Sequence, residues 1–197
     1  MMSSRIANAL PIVGLAFALT AGATSTLAQT PAAAAGFTLT SPKLTDGSAL
    51  DKHYAGMNDA RAQCGGDGVS LPLQWSNAPA KTQSFAVMLF DMDGGANGGV
   101  VHWIAYGIAP NVTALAEGDG NAPSQKMVGG SNTRGIGTYV GPCAPSADKP
   151  HHYIYTVYAL DVPKGELSAG LTRDEFFAKV KGRILNAMSL VALYKRP

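Results

Sequence analysis

At 197 residues, 46% hydrophobic and 14% charged, the chain is too apolar to be disordered or fibrous and long enough to bury one sizeable core. Fifteen Lys and Arg against 13 Asp and Glu give a formal charge of +2, too near balance for nucleic acid or another polyanion as partner. Two cysteines are too few for a mini-protein built on disulfides, and their separation gives no zinc-ligand spacing.

Residues 1–28 contain no acid, carry Arg5 ahead of an apolar stretch, and reach a small-x-small site at Thr26-Leu27-Ala28. That pattern predicts a secretory signal peptide. Pro11, Gly14, Thr20 and Gly22 interrupt the apolar part, which is short for a bilayer span, so an uncleaved anchor is disfavoured. Cleavage removes Arg5 and leaves 14 basic against 13 acidic residues, a formal charge of +1. The expected location is the periplasm or the exterior. There Cys64 and Cys143 can persist as a disulfide, the plainer alternative being two small buried thiols. Residues 29–36, rich in Ala with Thr and Pro, read as a flexible leader, which leaves 37–197 as the single domain.

Phe37 to Ser41 alternates apolar and polar as a half-buried strand does, and Pro42 makes it an edge strand or stops it there. Residues 45–70 read as loops, and Cys64 to Trp75 as a glycine-rich turn running into a short strand. Phe85 to Phe90 is apolar at successive positions and ends in Asp91, which predicts a strand buried on both faces and closed by carboxylates at Asp91 and Asp93. In the next strand, period-two alternation predicts Val100, His102, Ile104 and Tyr106 on one face and Val101, Trp103 and Ala105 on the other. An imidazole inside an apolar strand needs a partner or a cavity, because burying it unpaired costs about 1 to 3 kcal/mol. Asp91 is the nearest candidate partner. Met127 to Gly141 is a long glycine-rich loop and a functional suspect on length alone.

His151 to Asp161 is the clearest strand, dense in aromatic and β-branched residues, and alternation puts His151, Tyr153, Tyr155 and Val157 on one face. Thr172 with Glu175 forms a capping box. Phe176, Phe177, Val180, Ile184 and Ala187 then recur at helical spacing, predicting an amphipathic helix through that stretch. Ser189 to Tyr194 either continues it or forms a closing strand. About seven short strands with glycine and proline turns and one late helix point to a β-sandwich.

The chemistry-bearing residues narrow the function by exclusion. A calcium loop starting at Asp91 fails, with Ala96 at its sixth position and His102 at its twelfth. There is no G-x-S-x-G elbow and no Walker sequence, and neither cysteine has a nucleophile's context. Asp91, His102 and His151 together could ligate a metal with one open position and serve a metal-assisted hydrolase, although a histidine in a strand is more often structural.

Asp91-x-Asp93, then Val100-Val-His102-Trp103, then Gly141-Pro-Cys-Ala-Pro145 leading to Lys149-Pro-His151-His-Tyr153, resembles the phosphatidylethanolamine-binding protein family, and within it the bacterial Raf-kinase-inhibitor-like branch. The match runs from about Phe37 to the C-terminus. The resemblance implies a mainly β fold, a sandwich of two antiparallel sheets with one or two C-terminal helical segments. It also implies a non-enzymatic protein without cofactor or metal, whose small pocket takes phospholipid head groups or similar phosphate or carboxylate anions. Inhibition of a protease or kinase-like protein partner lies within the family's range. Carried across by motif, the ligand-binding residues are Asp91, His102, Gly141, Ala144, Pro145, His151 and Tyr153. Met92 in place of a proline and the glycines that follow imply a looser acidic loop. His152, where many members have arginine, implies one fixed cation fewer near the pocket. His102, His151 and Tyr153 are expected to donate hydrogen bonds to the anion while Asp91 orients one imidazole and favours its protonated form, so that binding weakens as pH rises.

Overall fold

The computed structural model describes residues 36–60, 62–95 and 98–197. The signal peptide expected over 1–28 and all of the leader but Gly36 lie outside the described residues.

Among the described residues, nine strands and one α-helix build the fold: β1 (Thr38–Thr40), β2 (Ser48–Ala49), β3 (Leu73–Ser76), β4 (Ser84–Asp91), β5 (Val100–Ile108), β6 (Ala114–Leu115), β7 (Val128–Gly129), β8 (His151–Leu160), α1 (Arg173–Lys179) and β9 (Ile184–Tyr194). They form a three-stranded sheet in the order β1-β3-β6 and a six-stranded sheet in the order β2-β9-β8-β4-β5-β7. Neighbours are antiparallel except the short edge pair β2 and β9. As Pro42 requires, β1 stops at Thr40 and lies on a sheet edge, where its missing N–H breaks no ladder.

The large sheet is covered on both faces, which explains why β4 has no polar face. Phe85, Val87 and Leu89 point into a core shared with Leu39, Leu73, Trp75 and Leu115 of the small sheet. Ala86 and Met88 point the other way, into a second core closed by Phe176 and Val180. On β8, Tyr153, Tyr155 and Val157 share the first face, as their alternation predicts.

Two predictions fail for identifiable reasons. Leu89 pairs with Trp103 but Phe90 pairs with Val101, so His102 is an extra residue in β5, a β-bulge. Alternation breaks there: Val101, Ile104 and Tyr106 face the helix-side core, whereas Trp103 and Ala105 face the inter-sheet core. The His102 ring packs edge-on at 5.3 Å against Tyr153 of the inter-sheet core, so His102 and Trp103 share a face. The second failure is the length of the helix. Thr172 and Glu175 do form the capping box, but α1 closes at Val180 and Gly182 follows in the left-handed region at φ 74°. Ile184 and Ala187, read as helical, belong to β9 and pair with Leu160 and Tyr158. Ser189 to Tyr194 therefore forms the closing strand.

Candidate functional site

The central strands β4, β5 and β8 bring their chemistry to one end of the large sheet. Asp91 closes β4 opposite Tyr153 of β8, so its side chain continues the Phe85, Val87, Leu89 face and meets His151. Asp91 is only 3% exposed, and a buried carboxylate persists only when its lone pairs are filled. Oδ1 accepts the backbone N–H groups of Asp93 at 3.0 Å and Gly94 at 2.9 Å, and Oδ2 accepts Nδ1–H of His151 at 2.8 Å. The turn needs glycine at 94, because a Cβ there would sit 2.7 Å from Asp91 Oδ2. The acidic turn is thus anchored by its own first carboxylate even though Met92 stands where the resemblance expects proline.

Burial works against a charged His151. The hydrogen bond and charge of Asp91 outweigh it, with Asp148 (3.4 Å from Nε2) and Asp93 adding, and the pKa lies above the ordinary 6.5. The next residue is tied outward: the His152 backbone N–H at 2.6 Å and its ring at 2.8 Å both bond Asp93, and these bonds hold the Asp93 carboxyl below its ordinary range.

His102 is in the opposite electrical state. Its Nδ1 lies 3.0 Å from the carbonyl oxygens of both Val140 and Gly141. Carbonyls only accept, so Nδ1 carries the proton. Burial then pushes the pKa down, against the carbonyls and Asp91, with the charge of Arg134 lowering it further. The neutral ring keeps Nε2 as a bare acceptor. Gly141 can aim its carbonyl there because a Cβ would sit 2.5 Å from backbone atoms of Ala55 and Gly56, a packing only glycine permits.

Asp91, His102, His151, Ala144 and Pro145 line one solvent-open hollow of about 330 Å³. Two of the expected site residues stand elsewhere. Gly141 lines a neighbouring hollow and touches this one through its bond to His102. Tyr153 is fully buried beneath it, where its hydroxyl accepts the Cys143 N–H at 3.1 Å, and burial together with the Asp91 charge raises its pKa. Cys64 and Cys143 form a disulfide that ties the rim to the loop after the Lys52–Tyr54 turn.

Arg134 also lines the hollow, its guanidinium held 2.7 Å from Asp59. Sequence reasoning missed it, although it flagged the loop that carries it. Asn132 shapes that loop: it is 5% exposed, its Oδ1 accepts the N–H groups of Arg134 and Ile136, and its Nδ2 donates to the His102 carbonyl at 3.1 Å. No periodicity marks such contacts. The wall therefore carries three carboxylates, at Asp91, Asp93 and Asp148, beside His151 and Arg134. Among the described residues, no three His, Cys, Asp or Glu side chains are grouped as metal ligands, so the hydrolase alternative through Asp91, His102 and His151 gains nothing from this geometry.

Comparison with known proteins gives a consistent result. The family model described as phosphatidylethanolamine-binding protein matches residues 40–195. A UPF0098 protein of Chlamydia pneumoniae is 33% identical over 162 residues, 80% of this chain and 98% of that one. LppC of Mycobacterium tuberculosis, named as a candidate lipoprotein, is 37% identical over 149 residues, 73% of this chain and 67% of that one. The crystal structure of Escherichia coli YbcL, titled a new member of the mammalian PEBP family, superposes with a TM-score of 0.74 at 28% identity, covering 83% of this chain and all of that one. Among the described residues no helix is long and apolar enough to cross a membrane.

Proposed function

The chain belongs to the phosphatidylethanolamine-binding protein family, and on that basis we propose that it is an exported, non-enzymatic binding protein whose hollow holds a small phosphate or carboxylate ligand such as a phospholipid head group. The observation that carries the reading is the His151–Asp91 pair on the wall of the hollow, with the pKa of His151 raised beside the fixed cation Arg134. An imidazolium and a guanidinium facing one cavity form a charge-assisted site for a phosphoryl or carboxylate oxygen. Asp93 and Asp148 on the same wall favour a ligand that carries its own cation, and phosphoethanolamine is the simplest such zwitterion. Export is supported by the resemblance to LppC and by the Cys64–Cys143 disulfide, a bond that persists in oxidising compartments.

Calorimetric titration of the purified protein with inorganic phosphate and with phosphoethanolamine at pH 6 tests the reading. Both should bind, phosphoethanolamine the more tightly, and His151→Gln should weaken both. Absence of binding by either ligand would sink it.

A further inference from the structure

β9, the longest strand among the described residues, lies almost at the edge of its sheet. It has 11 residues, yet β2 on its outer side pairs only with Ala192 and Leu193. Val191, just before these, is also satisfied from outside: its N–H donates to Asp46 Oδ1 at 2.7 Å, and its carbonyl accepts the Gly47 N–H at 2.8 Å. Backbone groups alternate sides along a strand, so those of Ala187 and Ser189 face the same way as those of Val191. Among the described residues, no backbone partner reaches Ser189 from that side. The Ala187 N–H has only the side chain of its own neighbour, Asn186 Oδ1 at 2.8 Å.

The open stretch has definite ends. Ala159 pairs with Asn186 but Leu160 with Ile184, so Leu185 is an extra residue, a bulge that ends the regular ladder on one side. Asp46, held on Val191, ends it on the other. Between them Ala187 and Ser189 are exposed. An open ladder is a template for another strand, and charged side chains or proline on the strand are the usual guards against it. Ile184 to Tyr194 carries neither.

We propose that this edge joins two copies of the chain, β9 against β9, antiparallel about a two-fold axis through Met188, into one continuous sheet. Symmetry selects a second copy as the occupant. With Met188 opposite its own counterpart, Ala187 stands opposite Ser189 on both sides of the axis, and the two residues exchange both N–H to carbonyl bonds. That register fills the open groups of Ala187 and Ser189 and stops where the bulge and Asp46 stop the ladder. A two-fold axis also sets every charge close to its own copy, and an uncharged strand escapes that repulsion. Opposite charges meet at the ends instead. Lys181, exposed and just before the bulge, is brought toward Asp46 of the other copy, which stands beside Val191.

Sedimentation equilibrium of the purified chain over a range of concentrations, with amide hydrogen exchange read by NMR, tests this. The chain should self-associate, and protection of the Ala187 and Ser189 amides should rise with concentration. Ala187→Lys alters an exposed side chain and sets two cations diagonally across the axis, which should weaken association roughly tenfold or more. Lys181→Glu, outside the strand, should weaken it too, and more at low salt than at high. A chain that stays monomeric at its highest soluble concentration would overturn the proposal. So would a dimer that leaves the Ser189 amide exchanging freely, or one that forms undiminished in both variants.

Discussion

His151 and Asp91 meet across the mouth of the sheet at 2.8 Å, and the carboxylate that fixes the ring is itself pinned by two backbone N–H groups. The pair gives the hollow a cation whose pKa lies above 6.5 despite its burial. In Asp91→Asn, burial is left with only the weaker help of Asp148 and Asp93, so the pKa of His151 falls. NMR titration of the ring protons reads this directly. An unchanged His151 midpoint would show that Asp91 does not control its charge.

His102 makes a different demand. With Nδ1–H given to two carbonyls, its bare Nε2 welcomes a ligand that brings a proton and repels one that brings only lone pairs. Hydrogen phosphate can donate to it at neutral pH, whereas sulfate cannot. A mismatched buried acceptor costs about 1 to 3 kcal/mol, so phosphate should bind on the order of ten- to a hundredfold more tightly than sulfate. Competition calorimetry at pH 7 checks the ratio, and equal affinities would mean that His102 enters the site protonated.

The two rings also pull stability in opposite directions with pH. The raised pKa of His151 contributes stability that is full below about 6.5 and is lost as pH rises through the folded-state value. The lowered pKa of His102 works the other way: the folded state loses stability as pH falls below about 6.5 toward the folded-state value, because the unfolded chain takes up the proton first. Stability measured by urea unfolding should therefore peak near pH 6.5. His53, raised by its hydrogen bond to Asp67 and its contacts with Glu117, adds to the alkaline limb. The contribution of His151 is read as the difference between wild type and His151→Asn, which should have a shallower alkaline limb.

The Cys64–Cys143 bond closes 79 residues, a loop whose closure restricts the unfolded chain enough to stabilise the fold by roughly 4 kcal/mol. Urea denaturation with and without reductant should show a loss of that order. A loss below about 1 kcal/mol would mean that the reduced chain keeps the two segments together by packing alone.

Gly141→Ala places a methyl group 2.5 Å from the backbone at Ala55 and Gly56. The loop must shift, taking its carbonyl away from His102 and costing about 1 to 3 kcal/mol. Thermal unfolding reads the stability. The pH dependence of phosphate binding reads the local effect, since His102 freed from Gly141 retains less of its fixed tautomer.

Much of this was legible because local pattern and environment agree. The apolar run of β4 and the aromatic strand β8 announce themselves by composition, and parity alone puts His151 and Tyr153 on one face. Parity could not reveal that Tyr153 is roofed over, since depth depends on what the Cys143 loop does. Ile184 and Ala187 keep helical spacing beyond Gly182, so the pattern predicts a longer helix than the chain forms. Arg134 has no neighbour in sequence to betray it. Its position depends on Asn132, which reaches across to the His102 carbonyl, and on Asp59 far upstream.

The extra residue that β5 spends at His102 has an evolutionary corollary. Whether the imidazole is presented to a ligand or turned beneath the helix is written in the length of a strand and not in its alphabet. A descendant that lost one residue there could keep every side chain of the site and still turn the imidazole away from the hollow. Counting residues within β5 itself would then separate chains that turn this imidazole toward the hollow from those that do not, where matching residue types does not.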